Sequence, residues 1–244
     1  MPDAARRRAL TSLGALLLPT AATAESPPAP LRLTVVSLLP WAGYTPQGEP
    51  TGALIMLVRQ LGKLSSVPIA PLVVPYSRAP HMLAAGAADL MLLIDISTIG
   101  TPLEWLGAVE IMMFGRSGFR FQRLDQLSGK TVGHLRGARY SPDIDAAPGI
   151  VKHPVDSYEQ GVRMLLAGRL DAMFGVGDSI EYALRTLQVQ PQQVSPRYLL
   201  ARGKVALYGD SALPPPYVTA LQGACRLLRQ EHVLDRLLKR PRPL

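Results

Sequence analysis

The sequence predicts an α/β protein of two lobes, each a mostly parallel sheet flanked by helices, with the chain crossing twice between them. Three observations predict this. First, Met164-Leu165-Leu166-Ala167-Gly168-Arg169-Leu170-Asp171-Ala172-Met173-Phe174 reads as the last turns of a helix, a stop at Gly168, and a strand from Asp171. Leu83-Ala84-Ala85-Gly86-Ala87-Ala88-Asp89-Leu90-Met91 repeats it, again with leucine three positions before the glycine and aspartate three after. Glycine just past a helix end takes the left-handed backbone without a Cβ clash. Second, strand and helix patterns alternate in both halves, which with right-handed crossovers gives parallel sheets. Third, the apolar segment 109–114 and a second candidate at 198–208 have the position of crossings between the lobes.

In chain order, residues 31–37 alternate and are rich in β-branched side chains, which predicts a strand. A loop with Pro40, Trp41, Gly43, Tyr44, Pro46, Gly48 and Pro50 follows. From Gly52, residues Leu54, Leu57, Val58, Leu61 and Leu64 form one helical stripe. Residues 69–74 form a second strand, and Pro80 suits the first turn of the helix that stops at Gly86. The apolar run 90–94 fits a central parallel strand. The second half repeats this order, with strands at 130–133, within 149–155, and at 171–174. Two capping boxes are expected, Ser157 with Gln160 and Asp178 with Glu181, each opening an amphipathic helix. Helices carrying Val218, Leu221 and Leu228, then Val233 and Leu237, close the chain. The lobes are then 25–110 with 205–244, and 111–204.

Residues 1–24 read as a cleaved signal peptide. Arg6, Arg7 and Arg8 precede a short apolar stretch, and Ala22-Thr23-Ala24 offers a cleavage site before Glu25. The apolar run falls short of the ~20 residues that span a bilayer. No cysteine follows it to carry a lipid anchor. The expected location is the periplasm of a Gram-negative cell.

The 244 residues are 48% hydrophobic and 18% charged, enough apolar content for a packed core. The net charge of +8 comes mostly from scattered arginines, with five lysines, and no basic stripe interleaved with aromatics argues for nucleic acid. The single cysteine, Cys225, lies on the helical pattern with Leu221 and Leu228 and is read as core. His81, His134, His153 and His232 lack metal-ligand spacing. No Gly-x-Ser-x-Gly elbow, phosphate loop or dinucleotide fingerprint occurs. No metal or cofactor is expected.

In open α/β sheets ligands bind beyond the carboxyl ends of the strands. Four loops therefore matter, at 37–44, 95–100, 134–140 and 175–178. Trp41 and Tyr44 offer a flat apolar wall or a cation–π face. Asp95, Ser97 and Thr98 are candidate ligand contacts from the first lobe. Arg136 and Arg139 have the guanidinium fork that matches a carboxylate, and Tyr140 closes the third loop. Asp178 suits an ammonium group, and equally a helix cap. Asp89 and Asp171 lie at the amino ends of their strands and are read as structural.

The order of motifs resembles the solute-binding proteins of ABC importers, family 3, the polar amino-acid type. It is carried by the leader, the Pro40-Trp41 loop, Gly52, and Arg78 ahead of the first Leu-x-x-Gly-x-x-Asp unit. The stretch Asp125-Gln126-Leu127-Ser128-Gly129-Lys130-Thr131-Val132-Gly133, Gly137, and Gly168-Arg169-Leu170-Asp171-Ala172 complete it. The resemblance implies a periplasmic-binding-protein-like fold of type II, closing on a small polar solute such as an amino acid or related carboxylate. It further implies a monomer that delivers this solute to a permease in the inner membrane. The family's carboxylate-clamping arginine would fall near Glu104 here, and its ammonium-binding aspartate follows the strand more closely than Asp178 does. Arg78, Arg136 or Arg139 then substitutes, which points to an organic acid or a modified amino acid. The competing expectation is a periplasmic enzyme on the same scaffold, resembling cyclohexadienyl dehydratases, with Asp95, Glu104 or Asp178 as its acid or base.

Overall fold

The computed structural model describes residues 29–94 and 101–239. The expected leader, and the candidate contacts Asp95, Ser97 and Thr98, lie outside the described residues. The chain runs β1 (Leu31–Val36), β2 (Gly43–Tyr44), β3 (Pro50–Thr51), α1 (Ala53–Ser65), β4 (Ile69–Val74), α2 (Arg78–Ala84), β5 (Leu90–Ile94) and β6 (Glu104–Gly115). It continues with β7 (Thr131–Leu135), α3 (Pro142–Ala146), β8 (Val151–Val155), α4 (Tyr158–Leu166), β9 (Ala172–Val176), α5 (Gly177–Thr186), β10 (Tyr198–Gly209), α6 (Pro215–Gln230) and α7 (Val233–Lys239). Short 3₁₀ turns lie at Leu124–Leu127 and Pro191–Gln193.

Two long strands join the halves. β6 and β10 pair antiparallel along most of their length, inside one sheet of order β4-β1-β5-β10-β6-β9-β7-β8. Within the first half, β1 pairs parallel with β4 and β5, and β5 pairs antiparallel with residues 205–209 of β10. Within the second, β7 pairs parallel with β8 and β9, and β9 pairs antiparallel with residues 111–115 of β6. Read inward from either edge the order is the same, β4-β1-β5-β10-β6 against β8-β7-β9-β6-β10. The fold is thus a two-lobed α/β arrangement with two crossings, as the sequence predicts.

The repeated helix-Gly-Asp-strand unit has one geometry in both places. Gly86 and Gly168 sit at φ +65° and +72°. Gly86 N donates to Leu83 O and Ala87 N to Met82 O, while Gly168 N donates to Leu165 O and Arg169 N to Met164 O. These pairs close the last carbonyls of α2 and α4. The aspartates then tie strand starts together. Asp89 Oδ2 accepts from the Arg32 backbone N–H at 2.7 Å, and Asp171 Oδ2 from that of Thr131 at 2.9 Å.

Three local expectations change. Leu64 is 52% exposed, although it was placed on the α1 stripe. At about 100° per residue it lies roughly 80° round the helix from Leu54, and the helix ends one residue later. α5 begins at Gly177 directly from β9, so the expected loop at 175–178 does not exist. Val176 is the N-cap, Asp178 lies in the first turn, and Glu181 pairs instead with Arg185 and Arg197. At α4 the Ser157 hydroxyl accepts from Gln160 N as expected, but the Gln160 side chain accepts from Asp156 N, one residue before the cap. Cys225 is buried in α6, as expected.

Candidate functional site

A cavity opens where the carboxyl ends of β1, β5, β7 and β9 converge. Its walls come from both halves: Val36, Leu38, Trp41, Leu54, Tyr76, Leu92, Leu93 and Ile94 on one side, Leu135, Ala138, Tyr140, Tyr158 and Val176 on the other, with Val109 and Val205 from the crossings. The cavity volume is about 40 Å³, room for roughly three waters. No charged side chain lines it among the described residues.

The first half places Trp41 by a tight turn after β1. Leu38 N and Ala42 O, and Ala42 N and Leu38 O, bond across it at 2.8 and 3.0 Å, around a cis Leu39–Pro40 peptide. The carbonyls of Pro40 and Trp41 accept from the Ala53 and Leu54 N–H groups at 3.2 and 2.7 Å. They satisfy the amino end of α1, which lacks a side-chain cap. The Trp41 ring is 4% exposed and its Nε1 makes no hydrogen bond among the described residues. Tyr76, between β4 and α2, is 7% exposed, and its hydroxyl likewise makes none. Burial pushes the Tyr76 hydroxyl up to about 12, against the opposing pull of the nearby Arg139 backbone N–H, which completes no bond. It is a neutral phenol at physiological pH.

The second half contributes hydroxyls. Tyr140 stands edge-on to Phe174 with centroids 5.0 Å apart, and its oxygen accepts from Leu135 N at 3.2 Å. The Tyr158 oxygen accepts from Val176 N at 2.9 Å and lies 3.3 Å from that of Tyr140. Burial raises both phenols, Tyr158 to about 12. Gly175 is what lets Tyr158 reach this position, because a Cβ there would stand 2.1 Å from the hydroxyl oxygen. The halves also touch at the cavity's edge. A Cβ on Gly137, itself at φ +74°, would meet the Ser77 Cβ at 3.1 Å.

Of the residues proposed from sequence, Trp41 and Tyr140 line this cavity. Tyr44 is 53% exposed, its hydroxyl donating to Val73 O at 3.1 Å. Arg78 is exposed at the start of α2. Arg136 is exposed and its Nε donates to Asp156 Oδ1 at 2.7 Å, and Arg139 lies 4.0 Å from Asp145. Asp178 is exposed on α5. Glu104 does not line the cavity. Its carboxylate sits under α6, 2.7 Å from Arg229 and 3.2 Å from Arg226, and the Arg229 guanidinium lies 4.1 Å over Trp105. Burial alone would raise Glu104, but these arginines and the Trp105 N–H hold it below the usual carboxylate range. Tyr76 and Tyr158 escaped sequence reading, since lone aromatics at a strand end and in a helix's first turn carry no motif.

The backbone is similar to solved structures over 86–88% of the chain. A mutant of the arginine-binding protein from T. maritima superposes with a TM-score of 0.71 at 14% identity, over 86% of this chain and 93% of that one. A histidine kinase sensor domain with similarity to periplasmic binding proteins gives 0.71 at 16% identity, over 88% and 98%. The substrate-binding protein of an amino acid ABC transporter gives 0.68 at 13%, over 86% and 96%. These likenesses establish the fold, a periplasmic-binding-protein-like one. No family model and no curated protein sequence matches the chain.

Proposed function

We propose that this chain is an exported solute-binding protein that traps a small molecule between its halves and hands it to an ABC importer, acting as a monomer in the periplasm. The lobes would be 25–110 with 205–244, and 111–204, hinging where β6 and β10 exchange partners. The observation that carries the reading is the cavity itself, walled from both halves at the carboxyl ends of four parallel strands. The neighbours named for amino-acid and arginine binding support capture. Trp41, Tyr76, Tyr140 and Tyr158 are the side chains we assign to the ligand. The described lining holds no carboxylate, imidazole or amine to act as acid or base, which favours binding over dehydratase-like chemistry. Of the candidate acids, Glu104 is held by Arg226 and Arg229, Asp178 is exposed, and Asp95 lies outside the described residues.

Closure supplies the test. In Gly137→Leu the side chain must displace Ser77, propping the halves apart, while the left-handed backbone costs a further ~1–2 kcal/mol. A thermal-shift screen of the mature protein against amino acids, organic acids, polyamines and small uncharged aromatics should find a stabilising ligand. At 100 times its dissociation constant it adds ~2.7 kcal/mol. Gly137→Leu should then bind that ligand at least tenfold more weakly. Equal affinity in the two proteins overturns capture between the halves, and turnover of a prephenate-like substrate restores the enzymatic reading.

A further inference from the structure

We propose that Tyr76 is a latch between the halves, its side chain clasped at the seam beside the cavity and its hydroxyl taking the Arg139 backbone N–H when the halves press together. The inference rests on the capture reading, since a latch needs halves that move. Two tight turns make the seam. In the first half Arg78 N donates to Pro75 O at 2.9 Å, closing a turn that carries Tyr76 and Ser77 from the end of β4 into α2. In the second, Ala138 N donates to Leu135 O at 3.0 Å at the end of β7. Gly137 is third in that turn, at φ +74°, the left-handed backbone that a type II turn needs there. The turns touch, since a Cβ on Gly137 would stand 3.1 Å from the Ser77 Cβ and 3.6 Å from its Cα. The second turn is also held from behind, where the Asp145 carboxylate accepts from Tyr140 N at 3.1 Å and the Ser141 hydroxyl accepts from Ile144 N at 3.2 Å.

Tyr76 lies in this seam. The groups that act on its hydroxyl all belong to the second half: the Arg139 N–H, the Tyr158 hydroxyl and the Asp145 carboxylate. While the ring helps to wall the cavity, the hydroxyl oxygen is covered on every side and makes no bond among the described residues. Nor does the Arg139 N–H. A buried hydroxyl without a partner is costly, and the donor that would satisfy it stands on the opposite half. Water satisfies the hydroxyl when the halves part, and the Arg139 N–H when they press together. The arrangement between these two is the least favourable, because the group is then out of water and still unpaired. The seam therefore favours two positions, open and shut, and Tyr76 biases the equilibrium between them.

Disulfide trapping reads the shut population directly. Ser77→Cys with Gly137→Cys sets two thiols on carbons within bridging reach. Cys225, buried with its thiol pushed up to about 12, stays silent. In the mature protein under mild oxidant this pair should bridge, and adding Tyr76→Phe should slow bridging about fivefold, the loss of one hydrogen bond. Melting curves of the reduced proteins check that each variant folds. If the cysteine pair does not fold, small-angle scattering on Tyr76→Phe and the parent makes the comparison without it, with a larger radius of gyration expected in the variant. Equal bridging rates, or equal radii in that second measurement, overturn the latch and leave capture standing. A folded cysteine pair that never bridges also overturns the latch, and capture is then decided separately by the ligand screen and Gly137→Leu.

Discussion

The two halves of this molecule share a topology and differ in what they place at its two ends. At the amino ends of the strands they use one device, an aspartate three residues past a helix-stopping glycine that accepts a backbone N–H from the neighbouring strand. Each aspartate also meets an arginine, but from different elements: Arg32 on β1 itself, and Arg116 just beyond β6. At the carboxyl ends the halves diverge. Aligning β5 with β9 through their registers, Leu33 with Leu90 and Val132 with Ala172, sets Leu93 opposite Gly175. The first half fills that level with a leucine, whereas the second leaves it bare and inserts Tyr158. The two halves are alike at the amino ends of their strands and differ at the carboxyl ends, where the cavity lies.

Swapping the volumes at this level tests that contrast and has the largest expected effect. Leu93 is 3% exposed, so Leu93→Ala removes buried contacts and leaves a void, costing about 3 kcal/mol in chemical denaturation. Gly175→Ala drives a methyl group into the Tyr158 hydroxyl and ring edge. Overpacking of this kind costs about 2 kcal/mol. Combined with Tyr158→Leu, the Gly175→Ala penalty should fall, giving a coupling energy in a double-mutant cycle. Additive losses would mean that Gly175 and Tyr158 do not share the space, and the second half's wall would need another explanation.

The fold was legible because its signals are local. Period-3.6 leucines marked α1, a continuous apolar run marked β5, and the Leu-x-x-Gly-x-x-Asp repeat marked both halves. The cavity was largely illegible because its wall is chemically the same as core. Nothing in the sequence separates Leu92 or Val176, which face the cavity, from Leu90 or Ala172, which do not. Sequence reading favours polar loop residues, and here Arg136 finds Asp156 across a β-α-β connection whose pairing no spacing rule shows. Asp178 misled for a similar reason. Its spacing to Glu181 mimics a capping box, yet β9 runs into α5 without the intervening turn that a cap requires.

The smallest effect expected is the one that checks the shared amino-end device, and it is read in acid. Asp89 is lowered chiefly by the side-chain hydrogen bond from Arg32, and Asp171 chiefly by the backbone N–H of Thr131. A carboxylate whose folded-state value is depressed stabilises the fold at pH above the unfolded value, about 3.9. That contribution is lost as pH falls through the lower folded-state value. Both groups are partly exposed, at 27% and 25%, so the contribution of each is about 1 kcal/mol after screening. Asp89→Asn and Asp171→Asn should each lower the urea midpoint at pH 7, begin to approach the parent as pH falls below about 4, and meet it only below the depressed folded-state values. Salt then separates the halves. Asp89 takes a two-pronged contact from a guanidinium, Nε at 3.1 Å and NH2 at 2.8 Å, and should lose most of its advantage at about 1 M ionic strength. Asp171 leans first on an uncharged N–H and should keep more of it. Variants that run parallel to the parent across the whole pH range would show that the shared geometry is not a shared source of stability.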